Sequence, residues 1–191
     1  MGAVADMVEE AIASPDDATS RWLSAADWKR VQGTVPICCV DVVPVARTTG
    51  PSPTIQKVGL ILRDTPHQGR RWCLVGGRLF RDESIAQAIV RQIRETLGPA
   101  VRFEVPPDPQ PTYIAQYFTT PQGANPVDPR QHAIGLTFVV GVEGDITPAG
   151  EAHHFEWFEV EKLPSPNQFG FGQERVLAAC LQAGGLHWGR M

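Results

Sequence analysis

An α/β sandwich built on a mixed central sheet is the fold class this sequence predicts, and three observations predict it. Short β-branched runs recur along the 191 residues, prolines gather between those runs, and one long amphipathic helix interrupts the series. The length suits one domain with a full core and is short for two. Residues 1–20 are acidic and alanine-rich and read as a flexible lead-in, leaving 21–191 as a single domain.

The elements follow in order. Ser24 stands three residues before Asp27 as a capping-box-like pair; Trp22, Leu23, Trp28 and Val31 supply apolar contacts, and Gly33 ends a first helix. PICCVDVVPV (36–45) is a strand, central at its start, and KVGLILRD (57–64) is its hairpin partner across TTGPSPT. RWCLV (71–75) is a short strand running into Gly76-Gly77. Over 84–97, Ile85, Ala86, Ile89, Val90, Ile93 and Leu97 share one arc at about 100° per residue, and Gly98 closes the helix. Strands are expected near 101–105, 112–118, 134–142 and 154–160, then a last helix over 171–183.

A formal net charge of −4 argues against a nucleic-acid polymer as partner, which demands concentrated positive charge. No basic start leads into a long apolar stretch, so the expectation is a cytoplasmic chain with no membrane partner. Cys38, Cys39, Cys73 and Cys180 form no C-x-x-C pair and read as reduced thiols. His153 and His154 are adjacent on a strand, point to opposite faces, and do not make a metal pair. Asp41, interrupting an apolar strand, reads as a buried hydrogen-bonding residue in preference to a contact near the site.

The chemistry concentrates in GGRLFRDESIAQAIVRQIRETLG, residues 76–98. Two glycines leave a strand, a polar loop follows and a helix begins; glycine lets backbone approach a ligand closely. On the helix, Gln92, Glu95 and Thr96 stand at i, i+3 and i+4, outside the apolar arc. Oxygen ligands placed there, beside strand-end carbonyls, suit magnesium or manganese. Taken alone, the same face is a solvated one.

The spacing decides between these readings. Gly77, Glu83, Arg91, Ile93, Glu95 and Gly98 stand in the register of the Nudix hydrolase signature: Gly, five residues, Glu, seven residues, Arg-Glu, an aliphatic residue, any residue, Glu-Glu, any residue, Gly. The chain therefore resembles the Nudix family, and the resemblance implies a Nudix-type α/β/α sandwich. It also implies Mg2+ or Mn2+ as cofactor and a nucleoside diphosphate derivative as substrate. Two positions depart from the signature, since Gln92 and Thr96 replace glutamates. Fewer carboxylates remain to hold metal, and a general base must come from elsewhere.

Within the family, WLSAADWKRVQGTVPICCVDVV, the Gly-Gly-Arg box and EAHHFEWFEVEKLP are similar to the GDP-mannose mannosyl hydrolase branch. That resemblance implies attack at the sugar carbon with release of the nucleoside diphosphate. It implies a metal held by the Gly76 carbonyl, Gln92, Glu95 and Gln131, with His132 as the base. Arg63, Arg78 and Arg91 would neutralise or orient the diphosphate, and a homodimer would form through the first helix and strand. The branch keeps the second glutamate of the pair, where this chain keeps the first, Glu95. Two other readings stay open: a conventional pyrophosphohydrolase attacking phosphorus, and a nucleotide- or protein-binding domain without catalysis.

Overall fold

Val40, Val42, Val43 and Val45 have no solvent exposure, which is why the strand that carries them lies in the middle of the sheet. The computed structural model describes residues 23–49 and 54–184. The lead-in expected over 1–20 and the contact expected of Trp22 lie outside the described residues. Helix α1 (Ala25–Gln32) opens the chain, with the Ser24 hydroxyl accepting from Asp27 N and Gly33 at its C-cap. Strands β1 (Ile37–Arg47), β2 (Ile55–Thr65), β3 (Gly69–Cys73) and β4 (Val75–Arg78) follow. Helix α2 (Ile85–Leu97) leads to β5 (Arg102–Phe103), β6 (Tyr113–Tyr117), β7 (Ala133–Glu143), β8 (His154–Glu159) and helix α3 (Gln173–Ala183).

The sheet is mixed and runs β3-β2-β1-β7-β5, with β4 added on β1, β6 on β7 and β8 on β2. Among the described strands only β1 and β7 pair in parallel, with Ile37 opposite Ala133 and Val45 opposite Gly141. Helix α2 packs on β1 and β4, and α3 on β6 and β7. This is the α/β sandwich expected, and no helix among the described residues is long and apolar enough to cross a membrane.

Two local expectations are corrected. The strand read over 71–75 is two strands, broken at Leu74, whose amide is taken by Gln173 Oε1 at 2.9 Å instead of a sheet partner. Gly76 and Gly77 therefore lie inside β4, opposite Asp41 and Val40, and do not open the loop. The strand expected over 101–105 shrinks to Arg102–Phe103, paired with Glu143 and Val142.

Helix α2 is also buried more widely than its apolar arc implies. Ile89, Ile93 and Leu97 face the core, and Arg91, Gln92 and Thr96 are buried too. Gly77 makes room for Gln92, because a Cβ there would lie 2.7 Å from the end of its side-chain amide. At the C-terminus the segment after β7 turns back onto the helix, with Thr147 N and Ala149 N donating to Leu97 O and Thr96 O at 2.9 and 3.0 Å. Gly98 has φ 94, and a Cβ there would crowd Thr147 O at 3.0 Å, so glycine serves this close approach. The docked segment carries Glu151, which is how a helix terminus comes to place a carboxylate in the cleft described next.

Candidate functional site

Where β1, β4 and β7 meet, small residues leave a polar hollow in the sheet. Asp41 of β1 lies between Gly76 and Gly135; a Cβ on Gly76 would collide with Asp41 Oδ1, and one on Gly135 would lie 2.9 Å from Oδ2. The hollow opens into a cleft of about 310 Å³. Three arginines line it: Arg63 from the end of β2, Arg78 from the end of β4, and Arg130 from the loop before β7. Asp128, Glu151, Gln131, Trp28 and Phe171 are also in the walls.

Arg63 and Arg130 are held by partners that leave part of each guanidinium unbonded. Arg63 Nη1 donates to Glu151 Oε1, and its Nε is buried without a hydrogen-bond partner. Arg130 is forked onto Asp128, Nε to Oδ1 at 2.9 Å and Nη2 to Oδ2 at 2.8 Å. Both guanidiniums lie over the Phe171 ring, at 5.8 and 5.0 Å. Phe171 holds a left-handed φ of 58, an unfavourable conformation for a bulky residue that aims its ring into the cleft. Arg78 stacks on Trp28 at 4.4 Å. Partial burial and the neighbouring Arg91 charge hold its pKa below the ordinary arginine value, so an anion beside Arg78 would be welcome.

Burial also acts on the carboxylates. It raises Glu151, against the opposing effect of Arg63 and Arg130. Asp41 is pushed by burial from 3.8 to about 7, although Tyr117 OH donates to its Oδ2 at 3.4 Å. A carboxyl raised on folding binds its proton more tightly in the native state. Its stabilisation is therefore complete below about pH 4 and is lost as pH rises toward 7. The change amounts to up to about 4 kcal/mol, and Asp41→Asn should flatten it. Urea unfolding at pH 5 and pH 8 checks this; the same pH dependence in wild type and variant would remove Asp41 as its source.

The residues singled out from sequence separate into two groups. Gly76, Gly77, Arg63, Arg78 and Gln131 line the cleft. Arg91 does not; it is a clamp, forked onto Glu83 by Nε to Oε1 at 2.6 Å and Nη2 to Oε2 at 2.9 Å. It also donates to Arg78 O at 3.1 Å, and so positions the arginine that does line the cleft. His132 is not among the residues that line the cleft. Its ring stacks on Phe118 at 4.9 Å with Nε2 buried and unpartnered, outside the cleft lining. Parallel pairing of β1 with β7 begins at the next residue, Ala133, and it is Ala133 that faces the cleft. His153 pairs with Asp64 at 2.8 Å, apart from the site.

The four donors expected to hold Mg2+ or Mn2+ do not make one coordination sphere. Glu95 is 61% exposed and paired with Arg91 at 3.2 Å, while both Glu83 oxygens serve Arg91. Gln92 turns inward, its amide oxygen accepting from Gly77 N and Arg91 Nη1 at 3.2 Å each. Gln131 Oε1 already accepts from Gln32 Nε2 at 2.7 Å. Among the described residues no group of three His, Cys, Asp or Glu side chains is arranged to hold a metal ion. The donor set present does not fit the cofactor the resemblance implies.

Asp41, Asp128, Arg130, Glu151 and Phe171 are cleft residues that the sequence did not assign to the site. A lone Asp within an apolar strand was a signal for the first, and Arg130 adjoins the Gln131-His132 pair. Glu151 and Phe171 carry no sequence signal, because turns far along the chain bring them in.

Comparison with known proteins agrees with this architecture. The sequence family described as "Domain of unknown function (DUF4916)" matches residues 18–185. A solved structure described as a possible asymmetric diadenosine tetraphosphate hydrolase from Jonesia denitrificans is 33% identical. It aligns over 83% of this chain and 99% of its own, with a TM-score of 0.73. An ADP-ribose pyrophosphatase of Methanocaldococcus jannaschii is 28% identical over 123 residues, and the chain spans 63% of that relative's length. A Nudix-family hydrolase from Clostridium perfringens shares the fold at 18% identity and TM-score 0.56, over 79% of this chain and 97% of its own. The chain belongs to the DUF4916 family, and its fold is that of the Nudix hydrolases.

Proposed function

We propose that the chain is a pyrophosphohydrolase that cleaves the phosphate–phosphate bridge of a nucleoside diphosphate derivative, of the ADP-ribose or diadenosine tetraphosphate type. The observation that carries this is the convergence of Arg63, Arg78 and Arg130 on one cleft. Guanidiniums match phosphate oxygens in geometry and charge, and in a cleft partly shut off from water they stabilise charge that develops as the bridge breaks. The descriptions of the Jonesia and Methanocaldococcus relatives support the substrate class.

Glu151 is our candidate for the proton acceptor from the attacking water. Its carboxylate stands at the cleft wall, burial raises its proton affinity, and an incoming phosphate competes for its partner Arg63. Nudix hydrolases in general use divalent metal ions. Glu95, Gln92 and Gln131 are each engaged by other protein groups and do not converge on one such ion.

The narrower GDP-mannose reading loses its support. The histidine it relied on stacks outside the cleft, and none of the three relatives carries a mannose substrate in its description. The test is a panel of ADP-ribose, diadenosine tetraphosphate and GDP-mannose, with products resolved chromatographically, with and without Mg2+. AMP from either adenine compound is expected. Free mannose with GDP as the sole product would refute the proposal, and binding without turnover would favour the non-catalytic reading.

A further inference from the structure

Helix α1 has no buried residue, yet two of its side chains reach the cleft. Trp28 and Gln32 are four residues apart, one turn along the same helix face, and both are cleft lining. The indole packs in part against the core and also stands on the wall of the polar, arginine-lined cleft. One face of the ring carries the Arg78 guanidinium, which puts the indole directly beside whatever the arginines hold.

Its position relative to the cations is set by contact. The Arg78 guanidinium lies 4.4 Å from the Trp28 ring centre, and Arg78 lines the same cleft as Arg63 and Arg130. A diphosphate on those arginines therefore has the indole at one end, and in a nucleotide only a ribose separates diphosphate from base. Beside the indole, Gln32 Nε2 donates to Gln131 Oε1 at 2.7 Å. That bond occupies one amide's donor and the other's acceptor. The Gln32 oxygen and the Gln131 amide hydrogens stay available, an acceptor next to a donor. A nucleobase edge presents the complementary pattern.

We propose that Trp28 is the stacking platform of a nucleobase subsite and that the Gln32–Gln131 amide pair meets the polar edge of the base. The proposal rests on the diphosphate reading of the cleft and adds what distinguishes a nucleotide from other diphosphates. Stacking on an aromatic side chain tolerates different bases, so the platform by itself selects for a base and not for one particular base.

The test is calorimetric titration of the full chain with ADP-ribose and, separately, with inorganic pyrophosphate, in wild type, Trp28→Ala, Trp28→Phe and Gln32→Leu. Trp28→Ala should weaken ADP-ribose about tenfold or more and pyrophosphate by less than about twofold. Trp28→Phe should restore most of the loss, and Gln32→Leu should weaken ADP-ribose alone. Retained pyrophosphate affinity shows that each variant is folded. Equal losses for both probes would mean that Trp28 only buttresses Arg78, and would overturn the subsite while leaving the diphosphate reading intact. Unchanged ADP-ribose affinity in Trp28→Ala would overturn it too. Wild type that binds pyrophosphate but not ADP-ribose would overturn the subsite and the nucleotide reading together.

Discussion

Glu83→Ala is expected to cost about 3–5 kcal/mol of folding stability, read as a lower urea midpoint. The reason lies in what the substitution leaves behind. Arg91 is 9% exposed and Glu83 6%, and the two are joined by a two-bond fork. Without the carboxylate a guanidinium stays buried with only Glu95, 61% exposed, as a counter-charge. Glu83 also accepts from Phe80 N at 2.9 Å, so the loop between β4 and α2 loses one of its internal ties. Removing both charges, as Glu83→Leu with Arg91→Met, should recover much of the loss, because a buried charge without its partner is costlier than an apolar pair. A double variant no more stable than Glu83→Ala would contradict this account of the clamp.

Arg63→Met is expected to lower kcat/KM about 100- to 1000-fold while changing stability little. Arg63 holds Glu151 and carries a buried Nε without a partner, so methionine keeps the packed stem and removes no satisfied network beyond one ion pair. Its loss removes a cation from the diphosphate and leaves Glu151 with Arg130 as its remaining compensating charge in the cleft. Both effects oppose an anionic substrate. Steady-state kinetics on the substrate found by the panel checks the value. A loss under about threefold would place the diphosphate elsewhere.

The glycines and Arg91–Glu83 of the box were legible in the sequence because spacing on a helix and a following loop is local information. Their meaning changed on folding. Gly77 accommodates Gln92, Gly98 admits the segment that ends in Glu151, and Arg91 clamps a loop without touching the cleft. The cleft itself was only half legible. Arg63, Arg78 and Gln131 came from the resemblance, whereas Asp41, Arg130, Glu151 and Phe171 are assembled by β1–β7 pairing and by turns outside the box. His132 shows the limit most clearly. One residue before the sheet pairing begins, a side chain turned against Phe118 lies outside the cleft, and no count of residue spacing reveals that turn.

Hydrolysis at phosphorus in the cleft of Arg63, Arg78 and Arg130 is checked by turnover in oxygen-18 water. Mass spectrometry of the products then locates the label. Oxygen-18 on a phosphate product, lost together with turnover in Arg63→Met, is the result predicted. Label confined to a free sugar hydroxyl, with an unlabelled nucleoside diphosphate, would contradict it.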